Sequence, residues 1–149
     1  MPLIKDAIKV TGKLNVKHFG KGGNLIREYN FTNLVVTTGL EYIASRLVDS
    51  GAPDQMSYMA LGTGAATPTL ADTTLGAEAG RVALSSSTPS TTIVTYVANF
   101  PAGTATGNLT EAGIFNDSAA GTMLCRTTFL SINKGADDTL AVSWVLTIS

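Results

Sequence analysis

The residues with the greatest chemical capacity are a single histidine and a single cysteine. A Ser-His-Asp or Cys-His site would need His18 as its base. His18 ends a lysine-rich segment beside a glycine turn, where we expect a surface or hairpin-end histidine. Cys125 alternates with Met123 and Thr127, which predicts a small core residue. One cysteine makes no internal disulfide, and one histidine builds no histidine-rich metal site.

Two further patterns invite a ligand-binding interpretation. Gly62-Thr-Gly64 lacks the remaining glycine of a dinucleotide fingerprint and a Walker lysine, so we interpret it as a strand-ending turn. Asn116-Asp117 and Asp137-Asp138 lack the ligand spacing of a calcium loop and are typical of turns.

Glu111 lies between apolar residues of a predicted strand. We expect it to pair with Arg126 or Arg81 in a partly buried contact, which is a structural role. None of these residues forms a catalytic constellation. The sequence therefore predicts a protein that is not an enzyme, with no catalytic residue, no metal site and no cofactor.

Four lysines recur at every fourth position from Lys5 to Lys17. On a strand, Lys9, Lys13 and Lys17 share one face. Two interpretations stay open: a solvated face that guards an edge against aggregation, or an electropositive strip that docks on an acidic protein surface. No aromatic residue is interleaved with these lysines, which argues against nucleic-acid binding.

The elements that must position these residues begin with an N-terminal hairpin over about 8–36. Apolar and polar residues alternate over 8–19, as in a half-buried strand. The glycines of 20–24 predict a turn, and a second strand follows over 25–36. This basic hairpin is the expected docking element.

One helix is predicted from Thr38 to about Ser50. Thr38 is a favourable N-cap, and Glu41 three residues later completes a capping box. Gly51 and Pro53 predict its end. Its apolar residues share one face at helical spacing: Leu40, Ile43, Ala44, Leu47 and Val48.

The rest of the chain is predicted to be β structure joined by small-residue loops. A helical turn is expected near Thr74–Ala79, a Ser/Thr/Pro turn between strands over 81–85 and 91–100, and a hairpin around Asn116–Gly121. Seven to nine short strands and one helix indicate a mainly β protein, with a β-sandwich or barrel-like antiparallel fold. No repeat or linker divides the chain, so we expect a single domain over 1–149.

The last strand, predicted over 140–148, is apolar on both faces. Trp144, Leu146 and Ile148 lie on one face, and Ala141 and Val145 on the other. Such a strand is either central and covered on both sides or in contact with another subunit. Trp144, Leu146 and Ile148 are therefore candidates for either core or oligomer contacts.

The composition excludes several classes of protein. Charged residues are 14% of the 149, where roughly 25% is usual, and the apolar content excludes disorder. No stretch approaches the roughly 20 apolar residues of a membrane span, and residues 1–6 lack a signal-peptide core. A net charge of −1 argues against a general nucleic-acid binder. We expect neither a membrane nor a nucleic acid as partner.

Charge and polarity also point toward self-association. Residues 1–46 carry a net charge of +4 and residues 47–149 a net charge of −5, so the two parts can attract each other within one chain or between copies. A monomer of this size needs a polar surface, and the sequence supplies mainly Thr, Ser, Gly and Ala.

Three segments resemble small bacteriophage virion structural proteins: 33–46, 59–81, and Glu111-Ala-Gly-Ile-Phe115 with 121–135 and the Trp144 strand. The second and third also resemble a module near the N-terminus of phage tail-collar fibre proteins. The similarity covers most of 33–149 and consists mainly of turn and packing patterns. It implies a non-enzymatic, multi-copy component of the virion that is assembled in the host cytoplasm.

The position within such a particle stays open. The sequence ends at Ser149 without a shaft or receptor-binding tip, which favours a capsid decoration or cement-type protein over a tail, baseplate or fibre-attachment component. The expected partners are further copies of itself and the major capsid protein or tail and baseplate proteins. A trimer fits the resemblance, but no residue sets the copy number. A carbohydrate- or receptor-binding module using Tyr58, Tyr96 and Trp144 is the weaker alternative, because the loops offer few aromatic rings.

Overall fold

The computed structural model describes residues 6–48, 51 and 53–149. Within those residues it contains ten strands and one helix. The strands are β1 (Val10–Phe19), β2 (Leu25–Thr32), β3 (Leu34–Val35), β4 (Tyr58–Gly62), β5 (Glu78–Ala83), β6 (Ser86–Ser90), β7 (Ile93–Phe100), β8 (Gly107–Phe115), β9 (Met123–Lys134) and β10 (Thr139–Ile148). The helix is α1 (Thr37–Ser45). The prediction of a mainly β protein with one short helix is confirmed.

The strands form two five-stranded antiparallel sheets. Sheet 1 has the order β2-β1-β10-β7-β6, and sheet 2 the order β3-β9-β8-β4-β5. Both sheets are open, so the arrangement is sandwich-like and not a closed barrel. Alternating side chains of the two sheets meet in the core, where Leu14, Phe100, Trp144, Met59 and Ile114 are buried, because every second residue of a strand faces inward.

The predicted N-terminal hairpin is present, but its second strand is shorter than expected. β1 and β2 pair in register, with Leu14 opposite Phe31. The chain then crosses at Asn33, and the two residues of β3 join sheet 2 beside β9. Gly12 permits this crossing, because an added Cβ there would overlap the Asn33 side chain.

The helix differs from the prediction at both ends. It begins at Thr37 with Val36 in the cap position and without a side-chain cap, because the Thr38 hydroxyl donates instead to the Met123 carbonyl of β9 at 2.8 Å. The predicted capping box is therefore wrong. The helix ends at Ser45, five residues before the expected end; residues 49–50 and 52 lie outside the described residues.

The buried face of α1 is only partly the predicted one. Ile43 packs against the core as expected, but Leu40 is exposed, as are Leu47 and Val48 beyond the end of the helix, and Gly39 and Tyr42 are buried instead. Gly39 packs so closely on β9 that an added Cβ would overlap the Leu124 carbonyl oxygen. Contact with a neighbouring strand, rather than apolar periodicity alone, sets which side of this helix is covered.

Segment 63–77 has no regular secondary structure, yet it covers the outward face of sheet 2. Its Leu75 is buried against Ala60 and Phe115 on that face. The helical turn predicted near Thr74–Ala79 is absent, since β5 already begins at Glu78. The predicted Ser/Thr/Pro turn likewise contains an additional edge strand, β6.

Glu111 on β8 holds this segment in place. Its fully buried carboxylate accepts hydrogen bonds from three backbone N–H groups, those of Gly64, Gly76 and Ala77, at 2.7–2.9 Å. Arg126 on β9 donates to the same carboxylate at 2.9 Å and to Asp72 at 2.9 Å. The predicted pairing of Glu111 is therefore with Arg126, and it is completely rather than partly buried. Arg81 pairs with Glu78 instead.

The Glu111 carboxylate explains the two glycines of the Gly62-Thr-Gly64 motif. A Cβ added to Gly64 would lie 2.5 Å from Glu111 Oε1, and one added to Gly62 would lie 2.6 Å from the same atom. The two glycines therefore let the backbone approach the carboxylate at the point where β4 ends. The prediction of a strand-ending turn is confirmed.

The same cluster predicts a loss of stability in acid. Burial opposes ionisation of Glu111 and Asp72, but hydrogen bonds from Ala77 to Glu111, from Thr69 to Asp72, and from Arg126 to both hold each pKa below its ordinary value of 4.5 or 3.8. A carboxyl with a lowered pKa stabilises the fold above its unfolded pKa, and this stabilisation is lost as the pH falls through the folded value.

We therefore expect Tm to fall by at least about 3 °C between pH 5 and pH 3, which corresponds to about 1 kcal/mol for a chain of this size. Thermal unfolding followed by circular dichroism at a series of pH values measures this. Glu111→Gln, which cannot ionise, should flatten the dependence. A Tm that stays constant down to pH 3 would contradict the assignment.

Candidate docking surface

The two sheets differ in how their outward faces are covered. Segment 63–77 covers the buried Glu111, Arg126 and Phe115 on the outward face of sheet 2, whereas every outward-facing side chain of β10, the central strand of sheet 1, is partly exposed. We call the outward side chains of β1, β10 and β7 the open face. Its members are Thr11, Lys13, Asn15, Lys17, Ala141, Ser143, Val145, Thr147, Ile93, Thr95, Val97 and Asn99.

The register places the open face in four rows across the strands. One row runs from Lys13 through Val145 to Thr95, and another from Lys17 through Ala141 to Asn99. Ten of the twelve side chains are uncharged, and the other two are Lys13 and Lys17. The surface is therefore nearly neutral, with positive charge along one margin.

The lysines lie where the sequence predicts. Lys13 and Lys17 are exposed on the same side of β1. Lys9 precedes β1 and is exposed, and its backbone continues the ladder by pairing with Ser149 in both directions at 2.7 and 2.9 Å. Within the described residues, none of the three takes part in a salt bridge. The positive charges are thus available to a partner.

Burial assigns two of the three candidates on the last strand, Trp144 and Leu146, to the core. Trp144 and Leu146 face the core, with exposures of 0% and 4%. Ile148 lies at the end of β10 with 36% exposure. The strand is central as expected, but it is covered on one side only, because its outward side chains are partly exposed. Trp144 and Leu146, on the covered side, are core residues.

His18 lies at the end of the β1–β2 hairpin, as one of the two expectations had it, but it is not on the surface. It is buried with 4% exposure, and its Nε2 lies 2.9 Å from Asp138 Oδ2. The backbone N–H of Gly135 also donates to that carboxylate at 2.8 Å, so Asp138 closes the turn before β10. Hydrogen bonds from His18 and Gly135 hold the pKa of Asp138 below its ordinary range. The pair fixes the chain between β9 and β10 and does not face a cleft with a nucleophile.

Lys134 is a buried cation that the sequence did not single out. Its side chain is fully buried, and Nζ donates to the Pro101 carbonyl at 3.0 Å. Burial lowers the pKa of Lys134, and the nearby Asp138 charge opposes that shift. The contact ties loop 101–106 to the end of β9.

The remaining candidates have structural positions. Cys125 is buried in the core as predicted, and burial raises the pKa of its thiol. Of the aromatic residues considered for sugar binding, Trp144 and Tyr96 are buried neighbours in the core. Tyr58 lies on the outward side of sheet 2 beside Phe115. The three rings do not share a surface on which a carbohydrate could stack.

Sequence reasoning missed most of the open face. It identified Ala141 and Val145 but not Thr95 and Val97 of β7. The signal was present, because Ile93, Thr95 and Val97 alternate with apolar residues in the sequence. Only the order of the strands shows that these two sets of side chains are adjacent.

Comparisons of the chain with protein-family models, with characterised proteins and with solved structures found no match. Among the described residues, α1 is too short to cross a bilayer, and no other helix is present. The same residues contain no group of three His, Cys, Asp or Glu side chains placed to hold a metal ion.

Proposed function

We propose that this chain is a non-enzymatic structural protein of a bacteriophage virion, present in many copies and docked on the particle through the open face. Its most favoured role is capsid decoration, in which it binds the major capsid protein and bridges neighbouring subunits. The alternative is a tail, baseplate or fibre-attachment component. The resemblance of segments 33–46, 59–81 and 111–144 to phage virion proteins gives the proposal its class.

The observation that carries the proposal is the difference between the two outward faces. On sheet 2, segment 63–77 covers Glu111 and Arg126, which are buried beneath it. On sheet 1, the open face is nearly uncharged β-sheet. The three strands of the open face, about 4.8 Å apart and about nine residues long, span roughly 400 Å², about half of the roughly 800 Å² per partner of a standard protein–protein interface.

The lysine margin supports a partner of opposite charge. Lys9, Lys13 and Lys17 follow one side of the open face, about 13 Å apart along the strand. An acidic surface on the particle would pair with this margin while the neutral rows pack against it. Attraction of this kind favours orientation and rate of association and weakens as salt is added.

Neutralising the lysines tests the docking surface. Each exposed ion pair contributes about 0.2–1 kcal/mol, so the triple variant with Lys9, Lys13 and Lys17 changed to Gln should bind particles about tenfold more weakly at moderate salt. Binding is measured by co-sedimentation of the purified protein with virions from which this chain has been removed. Lys21→Gln, an exposed change in the hairpin turn, is the matched control. Unchanged occupancy by the triple variant would reject the docking surface.

Copy number separates head from tail. Quantitative mass spectrometry of purified virions should find hundreds of copies per particle for a decoration protein and at most a few dozen for a tail component. Imaging of the intact particle then locates the chain. Absence of the chain from purified virions would reject the proposed function as a whole.

A further inference from the structure

β2 is a sheet edge that no described residue covers. It pairs with β1 on one side only. Six of its eight residues are exposed, and Leu25 and Ile26 are each 52% exposed despite being apolar. The free side presents a row of backbone N–H and C=O groups, which is a template for another strand.

The other three sheet edges are less suited to pairing. β3 has only two residues, and β6 contains Pro89, which cannot donate to a ladder. On β5, the Arg81 side chain is turned along the sheet surface, where it lies over the Phe115 ring and donates to two carbonyls of loop 116–121. β2 contains no proline and carries one positive and one negative charge side by side.

An apolar surface adjoins this edge. Tyr29 and Phe31 stack on each other, and Phe31 stacks on Phe129 of β9 with ring centroids 4.4 Å apart.

We propose that β2 pairs with β2 of a second copy, antiparallel about a two-fold axis through Tyr29, so that two five-stranded sheets become one ten-stranded sheet. This inference rests on the self-association included in the proposed function and identifies its contact. The partner is a second copy because this edge can pair with itself over residues 26–32 without placing like charges directly opposite.

Symmetry and charge select the register. A two-fold axis perpendicular to a sheet keeps each side chain on its own face, so opposite residues must both be odd-numbered or both even-numbered. Centring the pair on Arg27 or Glu28 would place like charges directly opposite, which is unfavourable. An axis centred on Tyr29 gives the longest paired segment without like charges directly opposite each other, which is residues 26–32.

In this register no like charges lie directly opposite each other, and the two Glu28 side chains are diagonal neighbours about 7–8 Å apart. Glu28 lies opposite Asn30 of the second copy on the outward side. Arg27 lies opposite Phe31 of the second copy, where its guanidinium can stack on the ring as it already does on Tyr29 at 5.0 Å. The two Tyr29 side chains meet at the axis.

Cysteine cross-linking tests the register. Opposite residues of antiparallel strands have Cα atoms about 4.5–5.5 Å apart, within the range a disulfide spans. Tyr29→Cys should therefore form a covalent dimer on mild oxidation. Arg27→Cys is the matched control, because in this register its two copies are about 13 Å apart and should stay uncross-linked. Cys125 is fully buried and does not interfere.

Association of otherwise native protein gives a second measurement that does not depend on Tyr29. In sedimentation equilibrium, Asn30→Glu should weaken the dimer by about fivefold and Asn30→Lys should strengthen it, because each places its new charge opposite Glu28 twice per dimer. A monomer at all concentrations, cross-linking of Arg27→Cys instead of Tyr29→Cys, or equal effects of the two Asn30 variants would overturn the proposal. These measurements use purified protein without virions, so their failure is distinct from failure to bind a particle.

Discussion

Replacing Glu111 with alanine is expected to lower the free energy of unfolding by about 3–5 kcal/mol, because the buried Arg126 then keeps only the partly exposed Asp72 as a carboxylate partner among the described residues, and several buried donors lose their acceptor. Arg126 is 2% exposed and donates two hydrogen bonds to Glu111. Three backbone N–H groups of segment 63–77 lose their acceptor at the same time. Few single side chains in the described structure hold so many groups.

Urea denaturation measures this change, and limited proteolysis reports on the segment itself. Cleavage within 63–77 should accelerate in Glu111→Ala before the sheets unfold, since the segment is held mainly at this carboxylate. Glu41→Ala is the matched control, because Glu41 is an exposed carboxylate of α1 that forms no salt bridge among the described residues, and an exposed substitution of this kind changes the stability by about 0.5 kcal/mol at most. Equal destabilisation by the two variants would show that Glu111 is not the anchor.

Trp144→Ala is expected to destabilise the fold by about 3–5 kcal/mol, the cost of deleting a large buried aromatic side chain. Trp144 is fully buried between Leu14 and Tyr96 of the neighbouring strands. Because the indole faces the core, the self-association of protein that remains folded should be unchanged. This outcome separates a core residue from an oligomer contact.

Two variants sharpen the measurement. Val145→Ala, on the outward side of the same strand, should cost under about 1 kcal/mol. Trp144→Phe should cost less than half as much as Trp144→Ala, because it keeps an aromatic ring and removes an indole N–H that no described residue accepts. A dimer that dissociates in Trp144→Ala while its unfolding free energy stays constant would contradict the core assignment.

Alternation in the sequence was sufficient to predict most of the sandwich. β10 is expected over 140–148 and spans Thr139–Ile148, because every second residue from Leu140 to Leu146 is apolar and faces the core. The hairpin of β8 and β9 was also recognised from its Asn/Asp/Gly turn. β6 was missed, since its Ser-Ser-Thr-Pro-Ser sequence has neither apolar alternation nor β-branched content beyond one threonine.

The errors share a physical cause, which is contact between residues far apart in sequence. Thr38 had every local property of a helix cap, yet its hydroxyl bonds to β9, 85 residues later. Local sequence placed His18 at the surface or the hairpin end, but its ring is buried against Asp138, 120 residues away. Glu111 was expected to pair with a cation, but its three backbone donors come from a segment without any periodic signal.

The open face also depends on contacts between residues far apart in sequence. The lysine spacing was local and predicted the positive margin on β1. The neutral rows depend on β7 lying beside β10, an arrangement that joins residues about fifty positions apart. Composition indicated that much of the surface is uncharged, and only the topology gathers that surface on one side of the molecule.

If the molecule docks through the open face as proposed, the unequal covering of the two sheets would make it a directional building block. A layer formed in this way would be one molecule thick, because segment 63–77 and not a second open sheet would face away from the support. Growth would then be lateral and would stop when the support is filled. A coat assembled from such units would present residues 63–77 outward, so variation in that segment would alter the exterior without disturbing the attachment.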